Sequence, residues 1–133
     1  MAKKLSVMLV DDNEIDLFLH EKFLERSGIA NQILKFVFAG DALQYLMEKE
    51  EALLPDLILL DIQMPVINGF AFLDQYDKLP EIQKTKCQFI MLSSSLDFGD
   101  LSRAKAHHRV LGLLNKPIEM NELIQMLQDN GIL

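Results

Sequence analysis

An apolar run of strand length followed by an amphipathic helical pattern recurs five times along the 133 residues. No other feature constrains the fold as much. The runs cover residues 5–10, 33–38, 57–60, 89–92 and 110–114. The third, Leu57-Ile58-Leu59-Leu60, is apolar at every position, as expected of a strand covered on both faces. The first helical pattern covers residues 13–27, with Asn13 or Asp12 able to cap it and Gly28 able to stop it. In the second, Ala39, Ala42, Leu43, Leu46 and Met47 recur at i, i+3, i+4, i+7 and i+8. The third ends near Leu79 and Pro80, the fourth covers residues 97–108, and the last carries Met120, Leu123, Ile124 and Leu127 on one stripe before Gly131. Strict alternation of this kind predicts a doubly wound α/β domain, a five-stranded parallel sheet with helices on both faces.

One domain accounts for the whole length, residues 1–133, and the three residues after the last helix predict no output domain. Thirteen basic against twenty acidic side chains give a net charge of −7, which argues against nucleic acid as a partner. No apolar run approaches the 18 or so residues of a membrane span. The apolar stretch after Met1-Ala2-Lys3-Lys4 stops at Asp11, too early for a secretion signal. A single cysteine, Cys87, suits a reducing compartment, so a cytoplasmic location is expected.

The chemistry lies in what ends each strand. Run one ends in Asp11-Asp12, run three in Asp61 and run four in Ser93, while Lys116 follows run five by two residues. Ligands of open parallel sheets bind beyond the carboxyl ends of the strands, at the point where strand order reverses. In the flavodoxin-like order 2-1-3-4-5 that point lies between strands 1 and 3, so Asp11, Asp12 and Asp61 would converge, flanked by Ser93 and Lys116. Two like charges 4 Å apart at an effective dielectric near 20 cost about 4 kcal/mol. Lys116 offsets part of this, and a hard divalent cation such as Mg²⁺, which favours oxygen ligands and keeps several waters, would offset the rest. Each Asp taken alone could be an ordinary helix cap; five positions in matching order are better explained together. A carboxylate beside a metal can attack a phosphoryl group. Asp61, alone at the sheet centre, is the natural nucleophile, and Asp11 and Asp12 are the natural metal pair.

Val10-Asp11-Asp12-Asn13, Leu60-Asp61-Ile62-Gln63-Met64-Pro65 with Gly69, Leu92-Ser93-Ser94, and Lys116-Pro117 together resemble the receiver domain of two-component response regulators. The resemblance runs from about Lys4 to Asn130 and implies the order 2-1-3-4-5. It implies that Asp61 accepts a phosphoryl group from a phosphohistidine on a sensor kinase or phosphotransfer protein. It further implies that Asp11, Asp12, Asp61 and the Gln63 backbone carbonyl bind Mg²⁺, that Ser93 is the switch hydroxyl and that Lys116 pairs with the phosphoryl group. The Lys116-Pro117 bond is implied to be cis. Such a domain signals through phosphorylation-dependent contact with another protein or through a relay, with at most slow self-hydrolysis, and is not an enzyme in the usual sense.

Three features depart from or add to the pattern. Leu113 stands where the family usually carries Tyr or Phe, so no aromatic can swing inward there to report phosphorylation. The interval between Ser93 and Lys116 is about one residue longer than usual. Helix 1 is more apolar than one buried face requires: Ile15, Phe18, Leu19 and Phe23 can form one stripe, and Leu17 and Leu24 another. A broad core contact is the ordinary explanation, and a docking surface for a kinase's helices the other. Arg103, Lys105, His107, His108 and Arg109 read as a solvated basic face, with His107 and His108 pointing apart on a helix and Cys87 inert. A phosphatase of the haloacid-dehalogenase type also uses an Asp at a strand end but needs a second Asp two residues on, where this chain has Gln63. A flavin-binding flavodoxin-like protein would need a phosphate cradle after strand 1, which Asp11 and Asp12 would repel.

Overall fold

The computed structural model describes residues 4–95 and 98–133. Five strands, β1 (Leu5–Val10), β2 (Ala30–Phe36), β3 (Leu57–Asp61), β4 (Gln88–Ser93) and β5 (Val110–Asn115), alternate with α1 (Glu14–Ser27), α2 (Ala39–Glu48), α3 (Gly69–Asp77), α4 (Phe98–Lys105) and α5 (Met120–Asp129). The strands form one sheet in the order β2-β1-β3-β4-β5, and all four pairings are parallel. Parallel neighbours require crossovers, which the intervening helices supply.

The period of two along each strand divides the core. Met8, Val10, Ile58, Leu60, Phe89 and Met91 pack under Ala42, Leu46, Phe70, Phe72, Tyr76 and Ala104 of α2, α3 and α4. Val7, Leu9, Leu57, Leu59, Ile90 and Leu92 meet Leu17, Leu24, Leu123 and Leu127 of α1 and α5. All five residues of β3 are buried, which explains its unbroken apolar run. Exposed charge has no place on a strand with helices above and below, so the first polar side chain, Asp61, marks the strand's end.

Several boundaries differ from the sequence expectation. β2 begins three residues earlier, at Ala30, because parallel pairing with β1 recruits the polar, exposed Asn31 and Gln32 at the sheet edge. It ends at Phe36, and Phe38 becomes the N-cap of α2. The expected start of helix 4, Asp97, lies outside the described residues. Its end is Lys105 rather than His108. Beyond it the His107 ring accepts from the Arg109 N–H (3.2 Å) and pairs with Asp77 (3.0 Å), turning the chain into β5. His107 and His108 are therefore not on a helix pointing apart; their rings stack at 5.1 Å. Two 3-10 turns, Glu51–Leu53 and Glu81–Lys84, have no apolar period to announce them. From the second, Gln83 Nε2 reaches the carbonyl oxygens of Leu46 (2.6 Å), Met47 (3.2 Å) and Lys49 (2.9 Å), satisfying the end of α2.

Candidate functional site

The carboxyl ends of β1, β3 and β5 meet in an open pocket of about 240 Å³ lined by Asp12, Asn13, Asp16, Asp61, Gln63, Ser94 and Lys116. Asp11 directly follows β1 and is buried, its N–H bonded to the Phe36 carbonyl at 3.1 Å. Its Oδ1 accepts from the Asn13 N–H at 2.9 Å, and Asn13 Oδ1 in turn accepts from the N–H groups of Ile15 and Asp16. One chain of bonds thus ties a buried carboxylate to the cap of α1. Asp12 is exposed at the rim. Asp61, 3% exposed, accepts from the Gln63 N–H at 3.2 Å.

Lys116 reaches into this group from beyond β5. Its Nζ lies 2.7 Å from Asp11 Oδ2 and 3.2 Å from Asp61 Oδ1. A third contact, Asp16 Oδ2 at 3.1 Å, comes from the first turn of α1. The Lys116 N–H donates to the Ser93 carbonyl at 2.8 Å, so β4 anchors the main chain, and the Lys116-Pro117 bond is cis. His20, buried one turn beyond Asp16, accepts from the Ile118 N–H at 3.2 Å.

Burial, and after it the Asp11 carboxylate, push the Asp61 carboxyl up to about 7 despite the nearby ammonium. Burial works against the charge on Lys116, but bonding to Asp11, the charges of Asp11 and Asp61, and bonding to Asp16 outweigh it, so Lys116 is held above the usual lysine range. Burial lowers His20, which suits an imidazole that accepts a hydrogen bond. The local charge is unbalanced: four carboxylates, of Asp11, Asp12, Asp16 and Asp61, face one ammonium. Oxygens of Asp11, Asp12 and Asp61 all lie within 4.8 Å of one another, and apart from Lys116 the buried Asp11 Oδ2 has no donor among the described residues. An all-oxygen set with surplus negative charge fits a hard divalent cation.

Of the residues singled out in the sequence, Asp11, Asp12, Asp61, Gln63 and Lys116 come together. Ser93 stands apart: it is buried, its hydroxyl donates to the Ser95 carbonyl and accepts from the Ser95 N–H, and it does not line the pocket. The exposed Ser94 does line it, with Oγ 3.1 Å from Gln63 Oε1. Asp16 escaped the sequence reading because an acidic residue in the first turn of a helix normally serves the helix dipole. Leu113 is half-buried against the α3 side of the core. On α1, Leu17, His20 and Leu24 face inward, whereas Ile15 and Phe18 are 77% and 60% exposed. Ile15 and Phe18 therefore lie outside any core contact, while Leu19 and Phe23 of the same stripe are half-buried. Cys87 is buried, and burial pushes its thiol up to about 11, consistent with an inert cysteine.

The model of the response regulator receiver domain matches residues 7–128. The chain belongs to the response regulator receiver family. The crystal structure of a response regulator receiver protein from Dyadobacter fermentans superposes with a TM-score of 0.84 at 36% identity, covering 93% of this chain and 95% of that one. A two component response regulator from Cytophaga hutchinsonii gives 0.86 at 31% identity, covering 96% and 97%. The probable methanogenesis regulatory protein FilR2 of Methanothrix harundinacea is 28% identical over 125 residues, covering 92% of this chain and 79% of that protein. Two uncharacterized response regulatory proteins of Staphylococcus epidermidis are longer, and the match to this chain, 38% identical over 73 residues, covers 26% of their length. The receiver family is one of signalling modules, and the phosphatase alternative has no support from it. No helix among the described residues is long and apolar enough to cross a membrane.

Proposed function

We propose that this receiver accepts a phosphoryl group on Asp61 from a phosphohistidine and signals by phosphorylation-dependent protein contact or onward relay. The observation that carries the reading is the shared ammonium: Lys116 Nζ lies 3.2 Å from Asp61 and 2.7 Å from Asp11, at the mouth of an open pocket. Asp61 Oδ1 already holds Lys116 and the Gln63 N–H. Oδ2, with no donor among the described residues, is the oxygen left to attack phosphorus. The new O–P bond forms as the P–N bond to the donor imidazole breaks, its electron pair returning to nitrogen. Lys116 then neutralises phosphoryl oxygen charge where it develops.

Asp11, Asp12, Asp61 and the Gln63 backbone carbonyl would hold Mg²⁺, which supplies countercharge to the carboxylates and to the phosphoryl oxygens when bound. Ser93 would serve as switch hydroxyl by exchanging the Ser95 carbonyl for a phosphoryl oxygen. Exposed Ile15 and Phe18 on α1, and Phe38 and Val66 in the groove beside Asp12, offer apolar surface to the donor's helices. The test is labelling with acetyl phosphate in the presence of Mg²⁺. An alkali-labile label on the wild type, absent from Asp61→Asn, is expected; equal labelling of both proteins would remove the assignment.

A further inference from the structure

We infer that Asp16 is a positioning residue for the reaction at Asp61: it competes for the Lys116 ammonium and thereby restrains the rate of phosphorylation. The inference rests on the phosphoacceptor reading above and adds a residue to it. A lysine ammonium has three donors. Three carboxylate oxygens crowd the Lys116 ammonium: Asp11 Oδ2 at 2.7 Å, Asp16 Oδ2 at 3.1 Å and Asp61 Oδ1 at 3.2 Å, with the contact to Asp16 in hydrogen-bond geometry. Two of these partners stand at strand ends. The third comes from a helix, 100 residues away in sequence, and lies on the pocket wall.

Asp16 is held in place. Its N–H is bonded to the Asn13 cap at 3.1 Å, and Asn13 is itself bonded to the Asp11 carboxylate. One turn on, at i+4 on the same face, His20 Nε2 accepts from the Ile118 N–H. α1 therefore grips the segment after β5 twice, at the Lys116 side chain and at the main chain two residues beyond. The grip orients Lys116, and its acidic half also draws charge away from Asp61. When a phosphoryl group arrives, its oxygens must win a donor that Asp16 already occupies, in a pocket with four carboxylates to one ammonium. Removing the Asp16 charge while keeping its shape leaves Lys116 to Asp11 and to the phosphoryl oxygens.

Asp16→Asn is the informative variant. Asp16 keeps 27% side-chain exposure and fills no core position, so the variant folds, and a thermal melt verifies this; Asp16→Ala provides a second variant with the same expected sign. With acetyl phosphate and Mg²⁺, Asp16→Asn is expected to label roughly tenfold faster than wild type, the order a nearby unit charge contributes. The ratio is expected to persist at 0.5 M salt, because an ion pair at contact distance is screened far less than long-range repulsion of an anionic donor. A wild-type rate or a slower one in both variants, with Asp61→Asn unlabelled, overturns the role of Asp16 and leaves the phosphoacceptor reading intact. A rise that vanishes at high salt also overturns it, since repulsion of the donor would then explain the effect without Lys116. Absence of label on the wild type overturns the phosphoacceptor reading itself, and the inference with it.

Discussion

Asp61→Asn should stabilise the metal-free protein, and by an amount that grows with pH. Burial and Asp11 raise the Asp61 carboxyl from 3.8 to about 7 on folding. A group whose folded pKa is raised binds more protons in the folded state. Its contribution is complete below pH 3.8 and is lost as pH climbs toward 7. Between pH 5 and pH 8 the loss integrates to about 3 kcal/mol, at 1.4 kcal/mol per pH unit of differential protonation. Asparagine keeps the acceptor oxygen for Lys116 and does not titrate. The two proteins share every other ionisable group, so the change in their difference reports Asp61 together with the charges it faces, Asp11 and Lys116. For a 133-residue domain, where 1 kcal/mol is worth about 3–4 °C, the gap in Tm should widen by roughly 10 °C. The assay is a pair of thermal melts in EDTA at pH 5 and pH 8, repeated in urea to confirm the sign. A gap of the same size at both pH values would refute the reasoning, because the strain assigned to a buried, crowded carboxylate would then be absent. Adding Mg²⁺ at pH 8 should narrow the gap by stabilising the wild type.

Other consequences follow from particular contacts. Mg²⁺ at 100 times its dissociation constant should stabilise the wild type by about 2.7 kcal/mol, and Asp12→Ala far less, as read by thermal melts; equal shifts would exclude Asp12 as a ligand. A Cβ at Gly69 would lie 2.8 Å from the Asp61 carbonyl oxygen and 2.8 Å from Met91 Cε. Gly69→Ala should therefore cost about 1–3 kcal/mol in urea unfolding and slow labelling, because the backbone it displaces carries Asp61. Gln83→Ala strips one donor from three carbonyl oxygens at the end of α2. It should cost about 1–3 kcal/mol while leaving labelling per folded molecule unchanged, since it acts at the edge away from the pocket.

Elements under a strong period were legible from the chain. β1, β3 and β4 are apolar because helices cover both faces, and Asn13 and Gly28 bound α1 because a cap acceptor and a positive φ are local needs. The start of β2 was misjudged because the extent of an edge strand is set by pairing with its one neighbour, β1, rather than by its own apolar residues. The stop of α4 was misjudged because His107 is held by Asp77, 30 residues away. The outward exposure of Ile15 and Phe18 was also illegible, since an apolar side chain carries no mark of the direction it faces.

Residue type and order alone established the alternation, the parallel sheet and the carboxylates at its carboxyl edge, because periodicity and chain punctuation are properties of short segments. Tertiary structure alone decided how the pocket is wired. It turned the Ser93 hydroxyl onto Ser95, presented Ser94 to the opening, and gave Lys116 a third partner in Asp16. An ion pair across 100 residues depends on how a helix is rotated against the sheet, and that rotation is set by packing of Leu17, His20 and Leu24 against the core rather than by any local signal.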